Sequence, residues 1–198
     1  MNIKNELESL PFEKSNMQFC NVEIDPKKVR AIMINEVVPA DPKQDFYGDD
    51  DAAYLQTTIP LFQKAGIHVN SISDILNLGV YITNAVKVPK TEYTVSNVLI
   101  EGSLPFLEKE LSLFPNVKVI MLMGDVAKKA FNIISKKSAK KNAVPGVATY
   151  KLRSSEIYYA GIRIMPSYIM TGQNILIEKS KFEMAAEDIS VMVNLIQQ

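Results

Sequence analysis

Cysteine and histidine are almost missing from this 198-residue chain: Cys20 and His68 each stand alone. A single thiol makes no intrachain disulfide. Nor does it anchor an iron–sulfur cluster, or a zinc ion held by several thiolates of one chain. A single imidazole excludes a multi-histidine metal site, so only oxygen ligation of a hard cation stays open. Net charge is lacking too, with 22 Lys and Arg against 22 Asp and Glu; no overall field selects a partner. No apolar run approaches a membrane span. Residues 1–10 are polar and charged, unlike a secretory leader. There is no internal repeat and no low-complexity tract. These absences set the expectation of a cytoplasmic protein, away from membranes, with no metal and no cofactor.

What is present is ordinary globular material, 47% hydrophobic and 22% charged. The length suits one domain over residues 1–198, with a short helix and an arm over about 1–26. Four apolar runs read as buried strands: residues 29–38, 79–86, 117–123 and 162–165. Helical spacing fills the intervals. One helix covers residues 52–65, with Gly66 just past its end. A second lies within residues 98–114, where Pro105 suggests a start at Ser103 with the proline in the first turn. A third spans residues 124–135, and a long amphipathic one spans 174–198. Residues 147–152 and 157–164 flank the polar Arg153-Ser154-Ser155, which suggests a hairpin. Alternating strands and helices predict an α/β fold, a parallel sheet covered on both faces.

In such sheets ligands bind outside the carboxyl ends of the strands, so each strand end is a candidate site. The second strand stops at Asn84, whose amide carries two donors and two acceptors and can pair with a nucleobase edge. The alternative is a turn-capping asparagine. After the first strand come Asn35, Glu36, Pro39, Asp41, Asp45, Phe46 and Tyr47. Carboxylates here suit general-base work or stabilisation of a developing cation, and the rings suit stacking on a base. The alternative is a polar connecting loop. Asp49, Asp50 and Asp51 read as N-terminal charges of the next helix. The third strand ends at Gly124-Asp125, either an anion-binding turn or a tight capped one. The fourth ends at Pro166-Ser167-Tyr168, where a hydroxyl and backbone amides can hold a phosphate or simply end the strand. His68 reads as structural. From Val126 to Ser155 the chain has eight basic residues and no acidic one, a one-sided basic block that is either a phosphate-binding face or solvated surface.

Together these four strand ends resemble the uracil-DNA glycosylase superfamily, over about residues 29–168. Asn35-Glu36-Val37-Val38-Pro39 followed by Asp45-Phe46-Tyr47-Gly48 stands where members carry a Gly-Glu-Ala-Pro-Gly-like motif and an aromatic loop. Ile82-Thr83-Asn84-Ala85-Val86-Lys87 is similar to the family's Thr-Asn strand end with its Val-Lys pair. Leu104-Pro105-Phe106-Leu107, Leu122-Met123-Gly124 and Met165-Pro166-Ser167 follow in the family's order.

The resemblance implies a three-layer α/β/α sandwich on a central four-stranded parallel sheet. It implies a DNA partner and hydrolysis of the N-glycosidic bond of uracil or another deaminated base flipped from DNA. By it, Asn84 holds the base, with Tyr47 and Phe46 lining the pocket. Glu36, or failing it Asp41 or Asp45, offsets the sugar cation and orients water. Ser167, Tyr168, Lys87 and Lys128 contact DNA. Two departures stand out. Met165 replaces the family's histidine and cannot donate a proton to a leaving base. An extra residue precedes Pro39. Val88 stands where the cluster-bearing branch has a cysteine, so a cluster-free, divergent member is implied. The competing expectation is a non-catalytic relative that binds nucleic acid, a nucleotide or a protein.

Overall fold

The computed structural model describes all 198 residues. Strands β1 (Ala31–Val37), β2 (Val80–Val86), β3 (Val119–Met123), β4 (Ile157–Tyr159) and β5 (Ile162–Ser167) form one sheet in the order β2-β1-β3-β5-β4. The four strands β2, β1, β3 and β5 are parallel, as expected, and β4 adds an antiparallel edge. The sheet is therefore five-stranded and mixed, not four-stranded. The hairpin exists, but its turn is Ala160-Gly161, both at positive φ (51° and 80°), rather than Arg153-Ser154-Ser155. Two consecutive left-handed residues match the twist of paired strands. Residues 149–152 form a helical turn instead of a strand.

Helices cover both faces. One side carries α1 (Ile3–Glu8), α4 (Asn97–Ser112) and α5 (Asp125–Ala139); the other carries α2 (Ala53–Lys64), α3 (Ile72–Asn77) and α8 (Lys179–Gln197). Between α5 and α8 lie the short α6 (Thr149–Leu152) and α7 (Asn174–Ile177). Strand period two divides the core: Ile32, Ile34 and Tyr81 pack under α4 and α5, while Ala31, Met33 and Ile82 pack under α2 and α8.

Two helix bounds differ from the sequence expectation. α4 begins at Asn97, capped by the Ser96 hydroxyl, and runs straight through Pro105. The proline removes a donor to Glu101, which is exposed, so water can serve that carbonyl. Pro60 within α2 leaves exposed Gln56 in the same position. The C-terminal helix breaks at Glu178 (ψ 72°) into α7 and α8. None of Asp49 to Asp51 caps α2; the side chain of Gln44 accepts from the Ala53 N–H instead. No helix is long and apolar enough to cross a membrane.

Candidate functional site

The chain direction that carries it from β1 to β2 on one side and to β3 on the other makes the β1/β3 boundary a topological switch point, where doubly wound sheets open a crevice. A cleft of about 650 Å³ opens there, lined by Glu36, Gly124, Ser167, Tyr168 and Thr171 from the strand ends. Its outer wall comes from Tyr150, Gln173, Asn174 and Lys181, with Lys128 on α5.

Glu36 shares its face of β1 with Ile34 and so points toward α5. Its Oε1 accepts a hydrogen bond from the Val126 N–H at 3.0 Å, in the first turn of α5. An anion there is favoured by the unpaired amides and the helix dipole. Gly124 makes the approach possible. Its φ is +112°, and a Cβ at that position would lie 2.4 Å from Glu36 Oε1. Burial pushes the Glu36 carboxyl above its ordinary range, opposed by the Val126 N–H.

Asn84 sits on the other face of the sheet edge, with Asn35 beside it in register. Both ends of its amide are engaged. Nδ2 donates to both oxygens of Asp45 at 3.0 Å, and Oδ1 accepts from Asn35 Nδ2 at 2.8 Å. Thr171 Oγ1 completes the chain by donating to Asn35 Oδ1 at 3.1 Å. Asn84 is 1% exposed and does not line the cleft. The Asp45 carboxylate thus occupies the head expected to read a base. Burial raises the Asp45 carboxyl, against the lowering effect of the Asn84 amide and the Phe46 N–H.

Several other expected contacts are corrected by burial. Phe46 is fully buried and packs against Tyr54 with ring centroids 5.2 Å apart, so no base can stack on it. The Tyr47 hydroxyl donates to the Ile82 carbonyl and accepts the Ile82 N–H, each at 3.0 Å. It thereby closes the free edge of β2 rather than a base pocket. Lys87 is 1% exposed, and its Nζ lies 2.5 Å from Glu110 Oε2 and 2.9 Å from Thr83 Oγ1. An ammonium held there cannot reach a phosphate. The second oxygen of Glu110 accepts from Tyr81 at 2.6 Å and from Thr83 at 2.7 Å. Asp41 is exposed and caps the 3-10 turn Pro42–Gln44 through the Lys43 N–H.

Of the expected residues, Glu36, Ser167, Tyr168 and Lys128 do meet at the cleft. The Ser167 hydroxyl is committed, donating to Asp188 Oδ2 at 2.6 Å. Arg153 Nε holds the same carboxylate at 2.9 Å. The ring of Tyr168 lies under the Lys181 ammonium at 5.9 Å. Met165 packs in the α2/α8 core opposite Met121. Tyr150 and Lys181 were not anticipated at the site, whereas Gln173 and Asn174 belong to the polar stretch that follows the fourth strand end. No group of three or more His, Cys, Asp or Glu side chains converges as metal ligands would.

A doubly wound α/β sheet with a carboxylate at a helix N-terminus, inside a cleft at its switch point, has the architecture in which α/β folds bind ligands. More narrowly, the chain belongs to the uracil DNA glycosylase superfamily, whose model matches residues 32–188. That span reaches from β1 to the Asp188 that holds Ser167. Membership supports a DNA-glycosylase-like function and a DNA substrate at the level of the family. No curated protein matches the chain.

Proposed function

We propose that this chain hydrolyses the N-glycosidic bond of uracil or another deaminated base in DNA, and that it does so in the cleft over Glu36. The observation that carries the reading is the carboxylate itself. It is fixed at the switch point by the Val126 N–H, within a cleft of about 650 Å³, which is room enough for a nucleotide. The C1′–N bond breaks with its electron pair leaving on the base. The sugar carbon becomes cationic and is then captured by water, giving an abasic site. Glu36 offsets the cation and orients the water; a carboxyl raised by burial is also the stronger base. The side-chain amides of Gln173 and Asn174 line the same cleft and offer donors and acceptors to a base edge. Tyr168 and Lys128 line the same cleft and would contact the sugar-phosphate backbone, with Lys128 also paired to Asp125 at 3.1 Å.

A second reading has its own support. Met165 leaves no imidazole for the departing base, and both ends of the Asn84 amide are engaged within the fold. By that reading the cleft binds a base, nucleotide or DNA end without breaking it. The test is release of abasic sites from uracil- and hypoxanthine-containing oligonucleotides, single-stranded and duplex. Alkali-labile product under single-turnover conditions is expected. Binding without product at high protein excess would leave the second reading in place.

A further inference from the structure

A groove of about 570 Å³ runs along α5 and shares Asp125 and Lys128 with the cleft, so the two depressions adjoin. Its wall is one helical stripe: Lys128, Lys129, Asn132, Ile133, Lys136 and Lys137 recur at three- and four-residue spacing. Only one of its lining residues is apolar. Lys128 and Lys137 are paired, with Asp125 and Glu108 respectively. Lys129 and Lys136 have no carboxylate partner, and neither do Lys140 and Lys141 just beyond the helix end. On a chain with no net charge, such a stripe is a local and directional attraction for polyanions. The cleft that it adjoins is lined by two aromatic rings, Tyr150, 70% exposed, and Tyr168.

We propose that the lysine groove of α5 is a track for the backbone of a single-stranded nucleic acid, leading into the cleft over Glu36. Lysines at this spacing follow successive phosphates, while the exposed Tyr150 offers a face to an arriving base. Base–aromatic stacking of that kind is tolerant of sequence but needs unpaired bases, which a duplex keeps stacked on one another. The inference rests on the cleft accepting a nucleotide. It adds the direction of approach and the strandedness of the partner.

The experiment measures binding of a fluorescent oligothymidylate, free of deaminated bases, by anisotropy across a salt series. Three proteins are compared: the native chain, Lys129→Gln/Lys136→Gln, and Lys27→Gln/Lys28→Gln. The last pair is exposed before the amino end of β1, at the opposite pole of the sheet, and removes the same charge. Each lysine that neutralises a phosphate of a single strand contributes about 0.7 to the slope of log K against log salt. The groove variant is therefore expected to lose about 1.4 of that slope, while the control pair keeps the native slope. Equal losses in both variants, or none in the groove variant, would overturn the track. A blunt duplex of the same length bound as tightly, with the same loss of slope, would overturn the single-strand assignment. Abasic-site release is scored separately: a lost slope without cleavage removes the glycosylase reading and keeps the track, and cleavage without a lost slope does the reverse.

Discussion

The two faces of the sheet's carboxyl edge carry similar chemistry and opposite degrees of closure. On the α2/α8 face, Asn35, Asn84 and Asp45 form a buried chain, met at the cleft by the half-buried Thr171, in which every amide head has a partner. On the α5 face, Glu36 is anchored through one oxygen and looks into an open cleft. Parity along β1 is the cause, because adjacent residues 35 and 36 must point to opposite faces. A polar group that the fold has already satisfied gains little from a ligand, whereas a half-satisfied one at a cleft gains much. Under the proposed function, recognition and chemistry fall on the Glu36 side and architecture on the Asn84 side.

The sharpest way to break the closed side is to strand its buried charge. Glu110→Ala leaves Lys87 unpaired in the interior and removes the acceptor of Tyr81 and Thr83. It is expected to cost about 3–5 kcal/mol in urea unfolding. Next comes the open side. Glu36→Gln should lower single-turnover abasic-site formation by about 100-fold or more while oligonucleotide affinity is kept. Its thermal midpoint should move little, because the amide oxygen still accepts from Val126.

Asn84→Ala makes the complementary test. It unpairs the Asp45 carboxylate and the Asn35 amide, so it should destabilise by about 1–3 kcal/mol. Its effect on oligonucleotide affinity should be small in the fraction that remains folded. The smallest effect concerns pH. Burial raises the Asp45 carboxyl in the folded chain. Between the ordinary aspartate range and that raised value the native state holds more protons than the unfolded one, so this group's contribution to stability falls as pH rises through the window. Asp45→Asn carries no such charge. Its stability relative to the native chain should therefore be greater at neutral pH than near pH 4, as read from unfolding midpoints at both.

Much of this contrast lay outside what a linear reading can reach. Apolar runs located the four parallel strands, and the residues after them were the candidates, because ligand sites sit at strand ends whatever the sequence between. Glu36 and Tyr168, named as strand-end residues, line the cleft, as does Lys128, named within the basic block. Asn84 was also found as a strand end, but nothing near it in sequence tells that Asp45, 39 residues earlier, folds back onto its amide. Tyr47 and Phe46 misled for the same reason: an aromatic in a polar loop has no sequence mark distinguishing a stacking platform from an edge clasp or a core filler. The backbone break at Glu178 is concealed by an uninterrupted amphipathic pattern. Pro105 was given too much weight as a helix starter, since an exposed carbonyl one turn back makes an interior proline tolerable.

The most direct measurement is a nitrogen-15 NMR titration of the native chain with a uracil-containing single strand. The backbone amides of Gly124, Val126, Thr171 and Gln173 should shift, and the side-chain NH₂ pair of Asn84 should stay in place. A moving Asn84 NH₂ pair with a silent Val126 would put the base on the closed face and contradict the account.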